Sequence, residues 1–195
     1  YVNDELQKIG GEDSLTLTTT GTLPGGMTLT ELLLTVKKGQ MIYVEFYSTD
    51  PSAQRQAWIN EYSVTYHTIH EGDDEDLTGH TFAPTEWGTQ GSNGWYYMYQ
   101  HGNTGQYGML DYYDDTASID WQRNHYAFDP TVMGEMLFID PVHFFTGELG
   151  SKPVYAFRVP ATGKIRVNFE IHGLPAMGVS AYVEDRLVPL EGKDR

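Results

Sequence analysis

Hydrophobic and polar residues alternate along most of this chain, and a period of two predicts β-strands. The most regular run spans residues 164–171, where four large apolar side chains fall on one face: Ile165, Val167, Phe169 and Ile171. Further strand patterns are found at 14–18, 32–36, 41–47, 62–67, 95–99, 154–159 and 179–183. The pattern predicts an all-β fold, specifically an antiparallel β-sandwich of jelly-roll type.

Two stretches lack this alternation. Residues 70–94 carry an acidic cluster followed by Gly and Pro, and residues 100–118 carry Gly among Tyr and Asp. Both are predicted to be long loops, which in a compact domain often carry function. Pro51 suits the first position of a helical turn, so one such turn is predicted over 51–58. We expect residues 1–195 to form a single domain.

The two ends of the chain resemble each other. Residues 1–13 and 182–194 carry the same amino acid at six of 13 positions, namely Tyr, Val, Asp, Leu, Gly and Asp. Such a likeness is typical of one unit cut from a tandem array, here with a period of about 181 residues. Two similar amphipathic strands produce the same likeness by chance, so both interpretations stay open.

Composition narrows the partners. The formal net charge of -15 disfavours nucleic acid and anionic membranes, because their phosphates are repelled by an acidic surface. No apolar run approaches the roughly 18 residues that a membrane-spanning helix needs, so membrane insertion is not expected. The chain has no cysteine, which excludes disulfides, thiolate metal sites and a cysteine nucleophile.

Residues 89–97 (TQGSNGWYY) resemble the opening of a β-sandwich module found in large extracellular bacterial carbohydrate-active proteins. Residues 155–167 (YAFRVPATGKIRV) match a later part of that module, and residues 37–46 (KKGQMIYVEF) followed by Trp58 match its closing part. The closing half therefore precedes the opening half, with a boundary near residues 70–90. One departure is that Gln54-Arg55-Gln56 stands where such modules have an aspartate before the closing tryptophan.

The resemblance implies a glycan-binding site built on aromatic rings, because sugars stack their C–H faces on such rings while polar neighbours take the hydroxyls. Any aromatic residue within a strand also has a packing explanation. The ligand-binding candidates are Trp87, Trp95, Tyr97, Tyr107, Tyr112, Tyr113, Trp121 and Arg123.

Calcium is the one cofactor that the sequence suggests. Asp73, Asp74 and Asp76 lie in a run of acids, and calcium takes six to eight oxygen ligands. The run does not have the spacing of an EF-hand loop, and the simpler explanation is a solvated acidic loop.

The sequence therefore predicts a non-catalytic module that binds a polysaccharide or glycoconjugate, in a secreted or cell-surface bacterial protein with neighbouring modules. No enzyme is expected, since neither a nucleophile elbow nor a P-loop is present. The alternative is a structural or adhesive repeat of a stalk or fibre. In that case segment 1–9 or 179–188 would exchange as a strand between copies.

Overall fold

The computed structural model describes thirteen parts of the chain. They are residues 15–17, 27–28, 32–48, 56–69, 76–83, 89–100, 107–110, 112–114, 125–127, 137–139, 143–145, 150–173 and 177–184.

These parts contain β-strands and one short 3₁₀-helix at Ser92–Gly94, and no α-helix occurs among them. The strands are β1 (Leu15–Leu17), β2 (Met27–Thr28), β3 (Leu32–Val36), β4 (Met41–Ser48), β5 (Gln56–Ile69), β6 (Thr81–Phe82), β7 (Trp95–Gln100), β8 (Tyr107–Met109), β9 (Tyr112–Asp114), β10 (His125–Ala127), β11 (Phe138–Ile139), β12 (His143–Phe145), β13 (Lys152–Arg158), β14 (Gly163–Gly173) and β15 (Met177–Glu184).

The strands form two antiparallel sheets, as expected for a β-sandwich. The described strands of the first sheet follow the order β1-β15-β4-β13-β7-β8, and we call it the six-stranded sheet. The second, the nine-stranded sheet, follows the order β2-β14-β5-β12-β11-β10-β9, with β3 paired to β14 and β6 paired to β5. The all-β prediction is confirmed.

The core lies between the two sheets. Alternate residues of β4, β13 and β7 point inward from one sheet, and alternate residues of β14, β5 and β3 point inward from the other. Phe46 on β4 stacks on Phe144 with ring centroids 4.4 Å apart, and its edge meets Phe169 on β14 at 5.7 Å. These ring contacts join the sheets, because Phe46 belongs to one sheet and both of its partners belong to the other.

The observed strands correct two sequence predictions. Residues 56–58 belong to β5, so they form a strand rather than the end of a helical turn, while residues 51–55 lie outside the described residues. The loop predicted over 100–118 contains β8 and β9. Tyr residues are good strand formers, and their pairing with β7 and β10 outweighs the glycines that suggested a loop.

Two buried tyrosines in the core predict an alkaline limit to stability. The hydroxyls of Tyr62 and Tyr97 share a hydrogen bond of 2.9 Å. Burial raises the pKa of Tyr97 to about 12 and raises the pKa of Tyr62 well above its usual 10.0. A phenol with a raised pKa stays protonated in the folded state while the unfolded chain already releases its proton. The contribution of these tyrosines to the free energy of unfolding is therefore fully present below about pH 10. It falls as the pH rises towards 12, by roughly 1.4 kcal/mol per pH unit for each tyrosine.

Denaturant unfolding between pH 8 and 12 measures this loss. We expect the double variant Tyr62→Phe/Tyr97→Phe to show a shallower decline than the parent, because two of the coupled protons are gone. The control is Tyr99→Phe, whose ring is only partly buried. A parent protein that is equally stable at pH 8 and pH 12 would contradict the prediction.

Candidate functional site

The outer face of the six-stranded sheet carries a second hydrophobic cluster, separate from the core. Its buried members are Met41, Tyr43, Met98, Val154 and Ala156, and its partly buried members are Tyr96, Tyr107, Met109 and Tyr182. A sheet face that served only as the exterior of a sandwich would carry mainly polar residues. This face instead carries aromatic side chains, so it is a candidate binding surface.

Strand register explains how the aromatic residues come together. Tyr182 on β15 pairs with Tyr43 on β4, Tyr43 pairs with Ala156 on β13, and Ala156 pairs with Tyr96 on β7. One row across four strands thus holds three tyrosines, with a small residue between the last two. We call the outer-face tyrosines of this sheet the tyrosine face: Tyr43, Tyr47, Tyr96, Tyr107 and Tyr182. Tyr43 is itself buried and supports the face, whereas the other four are partly exposed.

Tyr107 lies across this face. It belongs to β8, yet its ring stacks on Tyr43 of β4, with centroids 4.7 Å apart and planes inclined by 25°. Strands β7 and β13 lie between the two. The Tyr107 hydroxyl donates a hydrogen bond to Oε1 of Glu45 and accepts one of 3.4 Å from Nε2 of Gln100. The ring is therefore held along the sheet surface rather than projecting from it.

Glu45 is the polar centre of the surface. Its side chain is 0% exposed, and its Oε2 lies 3.1 Å from Nζ of Lys152. Lys152 is 26% exposed, and its ammonium also lies 5.6 Å from the centroid of the Tyr47 ring. A buried carboxylate is tolerated when its lone pairs are satisfied, and Lys152 and Tyr107 satisfy both oxygens of Glu45.

The arrangement combines the two features that sugar recognition needs. Partly exposed rings supply flat apolar surface, and their positions are fixed by stacking and strand pairing. Lys152 and Gln100 supply hydrogen-bonding groups at the edge of those rings, and the bonds to Glu45 and Tyr107 restrict their orientation. Pre-positioned polar groups cost less to order on binding than mobile ones do.

The eight candidate residues meet different outcomes. Of these, Tyr107 lies in the site. Trp95 and Tyr97 are each 1% exposed and pack in the core between the sheets, so neither ring offers a face to a sugar, and both leave the candidate site. The correction has a simple origin, because alternate residues of β7 point inward and these two fall on the inward side.

The other candidates are not described at side-chain level. Tyr112 and Tyr113 have their backbone in β9, at the far end of the nine-stranded sheet, and therefore on the other sheet from Tyr107. Trp87, Trp121 and Arg123 lie outside the described residues.

The motif at 89–97 serves the fold. The side-chain amide of Gln90 donates to the carbonyls of Tyr97 and Leu110 and accepts the N–H of Tyr97 at 2.8 Å. It thereby fastens the turn before β7 to both β7 and the residue after β8. Asn93 donates to the carbonyl of Ala83, which ties the same turn to the segment after β6. The motif thus positions β7 and β8, the strands that carry one side of the tyrosine face.

The predicted calcium ligands are only partly described. Asp76 is exposed, and its carboxylate accepts the N–H of Thr78 at 3.0 Å, a hydrogen bond that lowers the pKa of Asp76. That contact is typical of a local turn. Asp73 and Asp74 lie outside the described residues, and no group of three metal-binding side chains occurs among the residues that are described.

Two further findings concern membrane-spanning helices and known proteins. The described residues contain no helix that is both long and apolar enough to cross a membrane. Comparison with protein-family models, curated proteins and solved structures finds no match for this chain.

Sequence reasoning missed most of the site. Tyr43 and Glu45 lie within the predicted strand 41–47, and Lys152 lies just before the predicted strand 154–159. The alternation predicts the strands but does not say which of their faces lies outside the core. The available signal is the pattern of β4, where Tyr43, Glu45 and Tyr47 occupy one face and Ile42, Val44 and Phe46 occupy the other. When a strand carries large residues on both faces, the face outside the core is expected to be covered by other side chains or by a ligand.

Proposed function

We propose that this domain is a non-catalytic glycan-binding module and that the tyrosine face is its binding surface. The observation that carries the proposal is Tyr107, whose ring is stacked on Tyr43 and whose hydroxyl is bonded to the buried Glu45. The result is a ring held flat on a sheet, beside Lys152, which can donate hydrogen bonds, and Gln100, which can both donate and accept them. A polysaccharide chain lying along the face would stack on the partly exposed tyrosines.

The architecture supports the proposal in a second way. The outer face of the six-stranded sheet is broad enough for an extended ligand to lie along it, and we infer that the two sheets form a jelly roll. The proposed location is outside a bacterial cell, as part of a surface or secreted protein, in which weak individual sites gain avidity from neighbouring modules. The calcium ligands proposed for this module are Asp73, Asp74 and Asp76.

The alternative function, a structural or adhesive repeat, predicts that segment 1–9 or segment 179–188 pairs with a neighbouring copy. Within this chain, β15 pairs with β4 along its whole length and with β1 over Met177 to Val179. Much of this strand's hydrogen-bonding capacity is therefore used internally. That observation favours the glycan-binding function over strand exchange by this segment, while segment 1–9 lies outside the described residues.

Retention by immobilised neutral polysaccharides tests the proposal. We expect the purified chain to be retarded in affinity gels by one class among α-glucan, plant cell-wall glycan and host-type glycan. The variant Tyr107→Leu should bind that glycan roughly 3- to 10-fold more weakly, because an aromatic contact contributes about 0.5–1.5 kcal/mol.

The matched control is Tyr99→Leu. Tyr99 belongs to the neighbouring strand β7, directly opposite Gly108 of β8, but it packs towards the core. We expect this variant to lose stability and to keep its affinity wherever it is folded. If a folded parent chain is retained by no glycan, or if Tyr99→Leu loses as much affinity as Tyr107→Leu, the proposal fails.

A further inference from the structure

A basic depression lies on the outer face of the opposite sheet. It has a volume of about 360 Å³ and is lined by Leu33, Leu34, Thr35, His67, Lys164 and Arg166. The volume lies near the lower end of the range for small-ligand sites, about 300–1,000 Å³. None of the six lining residues is acidic, in a chain where acids outnumber Lys and Arg by 27 to 12.

Strand register places the cationic groups side by side. Lys164 and Arg166 are two residues apart on β14, so both point to the outer face, with a spacing of roughly 6.6 Å along the strand. Thr35 and Leu33 of β3 pair directly with them, and His67 lies on β5, on the other side of β14. Three adjacent strands therefore contribute to one surface.

The two cationic side chains of the depression have no polar partner within the described part of the chain. The side chains of Lys164 and Arg166 are both exposed, and neither side chain forms a hydrogen bond or ion pair with any described residue. The contrast with Lys152, which is held by Glu45, is direct. Two adjacent unpaired cations repel each other, and that arrangement is relieved when an anion binds between them.

Leu33 adds an apolar element. It is 62% exposed and is the one large hydrophobic side chain that stands exposed among the described residues. It lies directly opposite Arg166 in the β3–β14 pair. A ligand that fits this depression therefore has an anionic group and, next to it, an apolar surface.

We infer that this depression binds an acidic sugar, a uronate or a sulfated unit, within an otherwise neutral glycan. The guanidinium of Arg166 would take the carboxylate or sulfate in a bidentate contact, with Lys164 as a second charge. The C–H face of the sugar ring would lie on Leu33, and Thr35 would bond a hydroxyl. This site is separate from the tyrosine face, so it stands whether or not the tyrosine face binds a glycan.

Charge and size favour this ligand over other anionic partners. The net charge of -15 repels a continuous polyanion, which must approach a large part of the surface, whereas a single acidic unit meets only the basic depression. Charges further away are screened beyond about 8–10 Å at physiological salt. A second protein would need a contact of roughly 800 Å² on each partner, far larger than a depression of this size.

Isothermal titration with a trisaccharide that contains one glucuronate tests the inference. The neutral counterpart, with glucose in place of glucuronate, and inorganic sulfate are titrated in parallel. We expect the acidic trisaccharide to bind at least 10-fold more tightly than its neutral counterpart, because only the acidic one accepts a charge-assisted hydrogen bond from Arg166. It should also bind at least 10-fold more tightly than sulfate, because sulfate lacks the sugar ring that would contact Leu33.

Variants locate the site. Lys164→Gln/Arg166→Gln should weaken binding of the acidic trisaccharide at least 10-fold, whereas Arg158→Gln, which removes an exposed cation at the end of β13 on the other sheet, should leave it unchanged. Leu33→Asn should weaken the trisaccharide and leave sulfate unaffected.

Four results would overturn the inference. They are equal affinity for sulfate and trisaccharide, no effect of the double variant beyond that of Arg158→Gln, tighter binding of a heparin-like polyanion, and tighter binding of an acidic peptide copied from residues 71–77. The last of these would assign the depression to a second copy of the chain.

Discussion

Replacing Phe46 by Ala is expected to lower the free energy of unfolding by roughly 3–5 kcal/mol. Phe46 is fully buried at the centre of the sandwich and meets the rings of Phe144, Tyr155 and Phe169. Because its partners come from both sheets, removing the ring leaves a cavity that neither sheet can close by moving alone. A domain with ordinary stability of about 5–15 kcal/mol would then lie near its unfolding threshold.

Urea denaturation followed by tryptophan fluorescence measures this effect. Leu33→Ala is the control, because it removes a hydrophobic side chain of similar size from an exposed position. We expect that variant to stay within about 0.5 kcal/mol of the parent. Equal destabilisation by the two substitutions would show that Phe46 does not occupy the interior of the fold.

The second large effect is expected at the buried ion pair. Lys152→Met removes the positive partner of Glu45 and leaves a fully buried carboxylate whose only other partner in the described contacts is Tyr107. Breaking a buried pair in this way costs about 3–5 kcal/mol. The loss should exceed what deletion of an exposed lysine causes, for which Lys164→Met is the control.

The double variant Glu45→Gln/Lys152→Met separates the charge effect from packing. Glutamine keeps the shape of Glu45 and an oxygen that accepts from Tyr107, but it carries no charge. We expect the double variant to regain most of the stability that Lys152→Met loses, since no uncompensated charge remains. The single variant Glu45→Gln completes the cycle. If the double variant loses as much stability as Lys152→Met and Glu45→Gln lose together, Glu45 and Lys152 act independently and do not form a coupled pair.

The sequence predicted the sheets better than it predicted the extents of their strands. The inward face of β14 was read directly, because Ile165, Val167, Phe169 and Ile171 alternate without interruption. For β5 only residues 62–67 were predicted, although the strand spans Gln56–Ile69. The β5–β14 register shifts near Glu170/Ile171, opposite residues 59–61, so Ile59 and Tyr62 both face the core although they are three residues apart. Such a bulge interrupts a simple period of two.

The candidate site was harder to predict because it depends on which face of each strand is used. Trp95 and Tyr97 are aromatic members of β7 and resemble ligand residues, yet they point inward, while Tyr96 between them points outward. Local sequence cannot distinguish the two faces when both are aromatic. The contact between Tyr107 and Glu45 joins residues 62 positions apart across two intervening strands, and only the order of strands in the sheet reveals it.

The most direct test of the tyrosine face is to map a bound neutral oligosaccharide, taken from the glycan class that the chain retains, by backbone amide chemical shifts. We expect saturable shifts on the strands that build the face, chiefly Tyr96 to Gln100, Tyr107 to Met109 and Lys152 to Ala156, with β3, β5 and β14 unchanged. Shifts confined to β3, β5 and β14, or no shifts at any concentration of a retained glycan, would contradict it.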